Sequence, residues 1–520
     1  MDIFRSTKKF LDRAAVAAGG CSYSYGDILR GSHGLAKVIT DAIGSEGSDS
    51  PRIAVMAPPG REYVEAIWGA WLAKGTPVPL CTSHPAGELQ YILGDAQAKV
   101  LLTSPGLAER MQPLAEAANV HLHIVGQASI DESFPQGIDD CLDVWSPEDD
   151  ALIVYTSGTT GRPKGALHTH GNLSAHIQAL VKSWEWSEND RILHVLPLHH
   201  VHGIINALHC AHAAGAAVEF LPKFSPGEVW KRLMREEDPI TVFMGVPTMY
   251  SYLLSHYAGM AHGEQAAARA AASRLRLTVS GSAACPLPVM HKWRELSGQW
   301  LLERYGMTET NMILSNPYRG ERRPGSVGLP LPGVEVRAVV ESHTTTGASA
   351  SAGGGNNFPS ALEGPGELYV RGPNVFKKYI NKPGATAEAF DEMGWFRTGD
   401  TAVLEGTPPY WRILGRTNVD IIKSGGYKIS ALAIENVLLS NSRIRECAVL
   451  GLPDESQGEV IAAVVACHDP PVTLDELKEW LLDKLPPYQI PERLKVLDSI
   501  PRNAMGKINK KELRQHKFTI

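Results

Sequence analysis

The hydrophobic positions follow a strand–helix–strand rhythm through the first part of the chain. An apolar run at 52–56 is followed by apolar residues at helical spacing from Val64 to Leu72, and then by a second run at 77–80. The same order recurs with runs at 100–103 and 121–125 around a helical stretch. Units of this kind, about thirty residues long, pair their strands in parallel. The pattern therefore predicts an α/β fold with doubly wound sheets.

Later segments extend this region and then change character. The runs at 191–196, 217–221, 241–245 and 275–280 predict further strands, with helices between them and an alanine-rich helix after Gly203. Short strands at 334–340 and 367–370 predict a small β-rich part. Between these two strands, residues 342–362 are almost all Ser, Thr, Ala, Gly and Asn, and they carry no charge. Because such a segment buries little surface, we interpret it as a flexible loop without a function of its own.

The last hundred residues predict a separate α+β unit. Ser430 is placed to cap a helix through Leu439, and apolar runs at 446–452 and 460–467 predict strands. Thr473 and Glu476 have the spacing of a capping box before another helix. We place the boundary at 415–418, which gives an N-terminal domain at 1–415 and a mobile C-terminal domain at 416–520.

The composition of the chain argues against several classes of protein. The 520 residues include 50 Lys and Arg against 56 Asp and Glu, a net charge of −6, so no overall basic field favours nucleic acid. No apolar run approaches the ~18 residues of a membrane span. The seven cysteines are far apart and form no C-x-x-C pair, which argues against a disulfide framework or a structural zinc site. A reducing, cytoplasmic location is the simplest expectation, and a mitochondrial one is the alternative.

The strongest chemical signal is a glycine- and hydroxyl-rich string directly after the apolar run at 151–154. It reads Tyr155-Thr156-Ser157-Gly158-Thr159-Thr160-Gly161-Arg162-Pro163-Lys164-Gly165. Glycines let backbone N–H groups approach an anion closely, while hydroxyls and cations add donors and charge. No Gly-Lys-Ser/Thr sequence occurs, so this is not a Walker A loop. The string predicts a site for a polyphosphate.

This string resembles the phosphate loop of the adenylate-forming superfamily, which includes acyl-CoA synthetases, luciferases and peptide-synthetase adenylation domains. Further segments resemble that superfamily's other motifs, in the expected order. They are Leu198 to Gly203, Glu303 to Glu309, Trp395 to Asp400, Gly415-Arg416, Ser424 to Lys428 and Pro501 to Lys507. The resemblance covers nearly the whole chain and implies activation of a carboxylic acid by ATP.

The resemblance also implies roles for individual residues. Thr156, Ser157, Gly158, Thr159, Thr160, Gly161 and Lys164 would hold the β- and γ-phosphates. Glu309 would bind Mg²⁺, Thr308 would contact the α-phosphate, and Tyr305 would stack on adenine. Asp400 and Arg416 would bind the ribose. Lys507 would bridge the carboxylate and the α-phosphate, and after rotation of the small domain Gly425 and Gly426 would line the path of the CoA thiol.

Three histidines, His199, His200 and His202, lie within four residues and raise the question of a metal. No cysteine or carboxylate stands close to them in sequence, and an extended segment would direct alternate side chains to opposite faces. We therefore interpret them as the wall of the acyl pocket. The resemblance makes His200 the counterpart of the superfamily's aromatic-motif residue, and we place it among the catalytic residues. His202 would face the acyl group.

The residue type at Arg304 indicates the class of substrate. Many relatives have a small residue before the Tyr-Gly of this motif, and a cation at the acyl end suits a second carboxylate. His202, Ser282 and Met307 would complete the acyl site. The segment Glu303 to Met312, with Arg323 to Gly328 downstream, resembles malonyl-CoA synthetases.

We therefore expect a malonate–CoA ligase that uses ATP, Mg²⁺ and CoA, and a monomer or weak homo-oligomer. Its partners would be small molecules, with no nucleic acid and no membrane span. A short- or medium-chain fatty acyl-CoA synthetase is the alternative within the enzyme class. A nucleotide-binding regulatory protein without turnover would need the loss of Lys507 or Glu309, and both residues are present.

Overall fold

A large, mainly parallel sheet forms the centre of the molecule. The computed structural model describes residues 7–44, 50–126, 145–156, 162–340, 364–425, 427–502 and 508–516. In spatial order the nine strands of this sheet are Leu329–Pro330, Asn311–Ser315, Leu302–Met307, Leu277–Ser280, Val242–Gly245, Arg191–His194, Ala217–Phe220, Ala14–Ala18 and Cys21–Ser24. Pairing is parallel from Ala14–Ala18 through Leu302–Met307 and antiparallel at both margins. The carboxyl ends of the parallel strands therefore meet at one edge, where ligands bind in open α/β sheets.

A second parallel sheet contains the first predicted strand–helix–strand units. Its strands, in spatial order, are Thr76–Pro79, Arg52–Met56, Val100–Thr103 and His121–Ile124. The helix Arg61–Leu72 buries Trp68 and Trp71 completely, as its apolar spacing predicts. The predicted α/β class with doubly wound sheets is confirmed.

Helices flank both sheets. The described helices of the first region are Tyr25–Ile43, Arg61–Leu72, Ala86–Ala96, Pro105–Ala118, His170–Ser183, the π-helix His202–His209, Cys210–Ala213, Pro226–Leu233, Pro247–Ala258, His262–Arg274, Leu287–Ser297 and Pro383–Ala389, with a 3₁₀ turn at Lys8–Phe10. Among the described residues, no helix has the length and apolar character needed to cross a bilayer.

The segment that carries the three histidines differs from its prediction. The strand predicted at 191–196 ends at His194, and residues 198–200 form a turn that leads into the π-helix His202–His209. The backbone N–H groups of Gly203 and Ile204 both donate to the carbonyl of His200, at 3.0 and 2.9 Å. The expectation of an extended segment is therefore wrong, because a turn at 198–200 and the π-helix from His202 already replace extended chain before the alanine-rich stretch.

Two antiparallel sheets complete the first region. Asp150–Thr156, Lys164–Thr169 and Lys378–Tyr379 form one, while Glu335–Val339, Gly366–Arg371, Phe396–Glu405 and Tyr410–Arg416 form the predicted β-rich part. The strands on either side of the predicted loop pair directly, with Val339 opposite Glu367. The loop residues 342–362 themselves lie outside the described residues.

Replacing 342–362 with a short Gly/Ser turn should leave kcat and the midpoint of thermal unfolding nearly unchanged. The reason is that Val339 and Glu367 already stand opposite each other, so a short connection spans the gap. Steady-state kinetics and calorimetry of the deletion variant check this. A drop in kcat of tenfold or more would show that the segment takes part in the reaction.

The last residues form a sheet of their own. Its strands are Ile421–Ser424, Tyr427–Ser430, Ile444–Asp454, Gly458–Cys467 and Arg493–Val496, and its helices are Ala431–Leu438, Leu474–Leu481 and Lys510–His516, with a 3₁₀ turn at Pro487–Gln489. The predicted caps are confirmed. The Ser430 side chain accepts from the N–H of Ala433, and Thr473 and Glu476 form a reciprocal capping box.

Several histidines of the first region are buried. Burial lowers the pKa of His168, His170, His194 and His212 to about 4 and that of His176 to about 3. A neutral buried imidazole binds fewer protons than the unfolded chain does between these values and the ordinary 6.5. The free energy of unfolding therefore has its full value above pH 6.5. Below that pH it decreases by about 1.4 kcal/mol per pH unit for each of these imidazoles.

We expect the unfolding midpoint to fall steeply between pH 6.5 and pH 5, which calorimetry across that range measures. The variant His170→Gln should flatten the slope, whereas the exposed His121→Gln should not. Glu303 opposes the trend, because burial raises its pKa to about 7 and its contribution is lost as the pH rises. A midpoint that stays level down to pH 5 would contradict this expectation.

Candidate functional site

A β-hairpin brackets the predicted phosphate loop. Asp150–Thr156 and Lys164–Thr169 pair antiparallel, with Thr156 directly opposite Lys164. Of the predicted phosphate-binding residues, Ser157, Gly158, Thr159, Thr160 and Gly161 lie outside the described residues. The hairpin register therefore places the two ends of the predicted loop, Thr156 and Lys164, opposite each other.

The side chains of Lys164 and Glu309 both contact Tyr379. The Lys164 Nζ lies 5.1 Å from the ring centre of Tyr379, and the Tyr379 hydroxyl donates to Oε1 of Glu309 at 2.7 Å. Glu309 is buried, and burial together with this carboxylate raises the pKa of Tyr379. A carboxylate oxygen is a ligand suited to Mg²⁺, so the donor chemistry at Glu309 fits the predicted metal.

The turn that carries Thr308 is held from two sides. His168 Nε2 donates to the Thr308 carbonyl at 2.8 Å, and Asn374 Nδ2 donates to the Thr310 carbonyl at 2.6 Å. Asn311 adopts the left-handed conformation, with φ 54°, as the chain reverses into the next strand. Met307 packs against a hydrophobic cluster that includes Tyr379, the partner of Glu309. The cluster consists of Ala166, Phe376, Tyr379 and Phe396.

Tyr305, Asp400 and Arg416 come together as predicted for the nucleoside site. The Tyr305 hydroxyl donates to Oδ2 of Asp400, and Arg416 Nε lies 3.0 Å from Oδ1 of the same carboxylate. Arg416 also donates to the Thr398 carbonyl at 2.8 Å. Although burial opposes it, the nearby Asp400 carboxylate raises the pKa of Arg416. These contacts hold the Asp400 carboxylate at a fixed position, where it is able to accept from two vicinal hydroxyls.

Replacing Asp400 with asparagine should raise the KM for ATP by about ten- to a hundredfold, because hydrogen bonds to a charged acceptor exceed those to a neutral one by roughly 1–2 kcal/mol. The KM for the acid substrate should change much less. Steady-state kinetics with each substrate varied in turn provide the check, and Asp41→Asn, at an exposed position on the helix Tyr25–Ile43, is the control. Equal increases in both KM values would assign Asp400 a structural role instead.

Arg304 is a buried cation without a carboxylate partner among the described residues. It lies on Leu302–Met307, is 5% exposed, and its Nε and Nη2 have no hydrogen-bond partner there. Burial lowers its pKa to about 9, so it stays charged at neutral pH. A buried charge that is not paired is costly, and this cost indicates that a bound anion completes the site.

The space beside Arg304 exists because Gly281 has no side chain. A Cβ at Gly281 would stand 2.2 Å from Cζ of Arg304. Gly281 follows the carboxyl end of Leu277–Ser280, the strand next to the one that carries Arg304. The guanidinium therefore lies across the edge of the sheet where the parallel strands end.

His202 and Ser282 join this position. His202 Nδ1 lies 3.2 Å from the Ser282 hydroxyl, and its buried Nε2 has no hydrogen-bond partner among the described residues. Burial and then the Arg304 charge lower the pKa of His202, so the ring is neutral. His200 precedes His202 at the start of the π-helix, with its ring centre 4.1 Å from that of His199. Arg304, His202 and Ser282 thus form one polar group, as the sequence predicts.

Sequence reasoning missed three residues around these groups. His176 lies close enough to Arg304 for the arginine charge to contribute, after burial and His168, to its lowered pKa. Glu303 accepts from the backbone N–H groups of Cys285 and Gly325, at 3.1 and 2.9 Å. Tyr379 contacts Glu309 across 70 positions of sequence. Glu303 opens the motif that ends at Glu309, but nothing in that motif shows that its carboxylate binds backbone N–H groups, and His176 and Tyr379 lie in no motif at all.

The C-terminal residues are described in part. Gly425 adopts φ 54° and donates to the Gln457 carbonyl at 3.0 Å, whereas Gly426 and Lys507 lie outside the described residues. Asp420 accepts from the N–H of Arg416 at 3.0 Å and from Lys510 Nζ at 2.5 Å. This carboxylate links the end of the ribose-site strand to the last helix.

Comparisons with known proteins agree with this geometry. The AMP-binding enzyme family matches residues 3–380, and the AMP-binding enzyme C-terminal domain matches residues 433–507. A malonate–CoA ligase, ACSF3, mitochondrial, of Xenopus laevis is 44% identical over 99% of this chain and 91% of its own. A malonate–CoA ligase of Arabidopsis thaliana is 40% identical over 98% of this chain and 87% of its own.

Solved structures show the same fold. ATP-bound MatB from Rhodopseudomonas palustris superposes with a TM-score of 0.83 at 30% identity, over 99% of this chain and 98% of its own. A malonyl-CoA ligase ternary product complex with methylmalonyl-CoA and AMP bound gives a TM-score of 0.66 at 36% identity, over 95% and 97%.

Proposed function

Because the chain belongs to the AMP-binding enzyme family, we propose that it is an ATP-dependent ligase that joins malonate to CoA. The products are malonyl-CoA, AMP and pyrophosphate. The observation that carries the choice of malonate is the buried Arg304 guanidinium, whose Nε and Nη2 have no partner among the described residues. The relatives named malonate–CoA ligase, at 40% to 44% identity, support it.

The position of Arg304 suits a dicarboxylate. A guanidinium meets a carboxylate with two parallel hydrogen bonds, and the neutral His202 and Ser282 supply further polar atoms beside it. An acid with an apolar tail would leave the buried charge unpaired, at a cost of several kcal/mol. This argument disfavours the alternative of a short- or medium-chain fatty acid.

The reaction proceeds in two transfers. In the first, an oxygen of one malonate carboxylate attacks the α-phosphorus of ATP and pyrophosphate leaves. In the second, the CoA thiolate attacks the activated carbonyl carbon and AMP leaves. Both attacks bring anions together, so the chain must supply positive charge, and Lys164, Arg416 and Lys507 are the residues we assign to this. Mg²⁺ held by Glu309 would neutralise phosphate charge.

We assign the two transfers to two arrangements of the domains 1–415 and 416–520. The strand Tyr410–Arg416 belongs to one sheet and Ile421–Ser424 to another, so a pivot near Asn418 would leave both sheets intact. In one arrangement Lys507 meets the carboxylate and the α-phosphate. In the other, the Gly425–Gly426 face forms the path of the thiol, with Lys423 near the CoA phosphates.

The names of the relatives support one of the two expected locations in the cell. Several malonate–CoA ligases from vertebrates carry the word mitochondrial in their names. These names favour the mitochondrial alternative over the cytoplasmic one for the proposed function. Subcellular fractionation of the source cells, with antibodies against this chain, decides between the two.

Product analysis tests the proposed function. The purified enzyme with malonate, ATP, Mg²⁺ and CoA should release pyrophosphate and AMP in equal amounts and form one malonyl-CoA for each. Mass spectrometry identifies the thioester, and omission of malonate is the control. Pyrophosphate release that does not depend on an acid, or a thioester that forms from butyrate but not malonate, would overturn the proposal.

A further inference from the structure

A cluster of soft ligands lies outside the residues assigned to the reaction. Cys81, His84 and His199 each offer one ligand atom, and these three atoms all lie within 4.8 Å of one another. Tetrahedral zinc, with Zn–S near 2.3 Å and Zn–N near 2.05 Å, holds its ligand atoms roughly 3.3–3.6 Å apart. Small side-chain rotations are enough to bring the cluster to that spacing. We propose that Cys81, His84 and His199 bind a zinc ion.

The three ligands come from two different sheets. Cys81 follows the strand Thr76–Pro79 of the four-stranded sheet, whereas His199 follows Arg191–His194 of the nine-stranded sheet. The sequence gives no sign of this meeting, because Cys81 and His199 are 118 positions apart. The proposed function assigns roles to His200 and His202 but none to His199.

The loop that carries Cys81 and His84 is held in place. The guanidinium of Arg110 donates to the carbonyls of Thr82 and His84, and the N–H of His84 donates to the Cys81 carbonyl at 3.2 Å. On the opposite side, the buried Tyr63 hydroxyl donates to the Leu198 carbonyl at 2.6 Å, directly before His199. The ligands are therefore positioned before any ion arrives, which lowers the entropic cost of binding.

The chemistry of the three groups suits a soft divalent cation. Cys81 is 5% exposed, and Nε2 of His199 is buried without a hydrogen-bond partner among the described residues. A thiolate is the form that binds zinc.

A carboxylate also stands beside the cluster. Oε1 of Glu88 lies 3.3 Å from Nδ1 of His84. Nδ1 of His84 has no hydrogen-bond partner among the described residues, so Glu88 is a carboxylate near the ring and not a hydrogen-bond partner of it. Three protein ligands leave the fourth position of a tetrahedron for water or another small ligand.

A bound ion would restrain the acyl pocket. The ring centres of His199 and His200 are 4.1 Å apart, and the π-helix with His202 follows immediately. The ion would join the loop after Thr76–Pro79 to this segment, and so fix the backbone that presents His202 beside Arg304. This consequence rests on the proposed function, whereas zinc binding itself does not.

Metal analysis tests the proposal independently of activity. The untagged protein, dialysed against metal-free buffer after loading with Zn²⁺, should retain one zinc per chain by elemental analysis. Cys81→Ser and His199→Gln should each weaken Zn²⁺ affinity at least a hundredfold in competition with a chromophoric chelator. Matched controls at exposed positions, Cys21→Ser and His121→Gln, should retain wild-type affinity.

Cobalt provides a second readout. Replacement of Zn²⁺ by Co²⁺ should give a thiolate-to-metal absorption band in the wild type that is absent in Cys81→Ser. Zinc should also slow alkylation of Cys81 by iodoacetamide by tenfold or more. Equal zinc content in wild type and Cys81→Ser would overturn the proposal, as would alkylation at the same rate with and without Zn²⁺. If zinc binds but malonate is not a substrate, the proposed function fails and the metal site stands.

Discussion

Replacing Arg304 with methionine should lower kcat/KM for malonate by about 150-fold or more, equivalent to about 3 kcal/mol, and should leave kcat/KM for butyrate unchanged or improved. The guanidinium is buried, charged at neutral pH, and without a carboxylate partner among the described residues. Its loss removes the group that would pair with the second carboxylate, while methionine fills a similar volume. Steady-state kinetics with both acids measure the ratio.

The same substitution separates function from structure. An unpaired buried charge destabilises the folded protein in the absence of ligand, so Arg304→Met should unfold at the same temperature as the wild type or higher. Arg319→Met is the matched control, because Arg319 is exposed and pairs with Glu185 at the surface. Equal losses for malonate and butyrate, or a large drop in stability, would make Arg304 a scaffold residue.

Replacing Lys507 with alanine should lower adenylate formation by about a thousandfold or more and leave thioester formation from a supplied malonyl-adenylate nearly intact. A cation at the attacked phosphate stabilises charge that develops in that transition state, and removal of one such donor costs ~10²–10³ even for a neutral group. Lys507 lies outside the described residues, so this expectation rests on its place in the C-terminal lysine motif.

Two assays measure the half-reactions separately. Exchange of labelled pyrophosphate into ATP reports the first, and CoA-dependent release of AMP from the adenylate reports the second. Lys495→Ala, at an exposed position of the same domain, should match the wild type in both. Equal losses in the two assays would remove the support for alternation between two domain arrangements.

The elements with strong periodicity were predictable from sequence. Runs of buried residues such as 52–56 and 100–103 became strands at those positions, because strands covered on both faces are apolar throughout. The caps at Ser430 and Thr473 also formed, since a cap depends on residues only three positions apart. Apolar periodicity and helix caps are predictable because the residues that interact are close together in the sequence.

The site was predictable where ordered motifs exist. Tyr305, Asp400 and Arg416 meet as expected, and so do Arg304, His202 and Ser282. The cluster of Cys81, His84 and His199 was not predictable, because its parts come from the ends of strands in two sheets. The turn at 198–200 was taken as extended, and only the structure shows that a turn and then the π-helix His202–His209 follow the strand Arg191–His194.

The most direct test of the central claim compares malonate with monomethyl malonate, in which only the second carboxylate is neutralised as an ester, on the wild-type enzyme. The two acids have nearly the same shape, and they differ in the charge that Arg304 is proposed to meet. The account predicts a kcat/KM for CoA-dependent AMP formation at least about a hundredfold higher for malonate than for the monoester or for butyrate. Equal values for malonate and the monoester would contradict it, because the buried guanidinium would then not bind the second carboxylate.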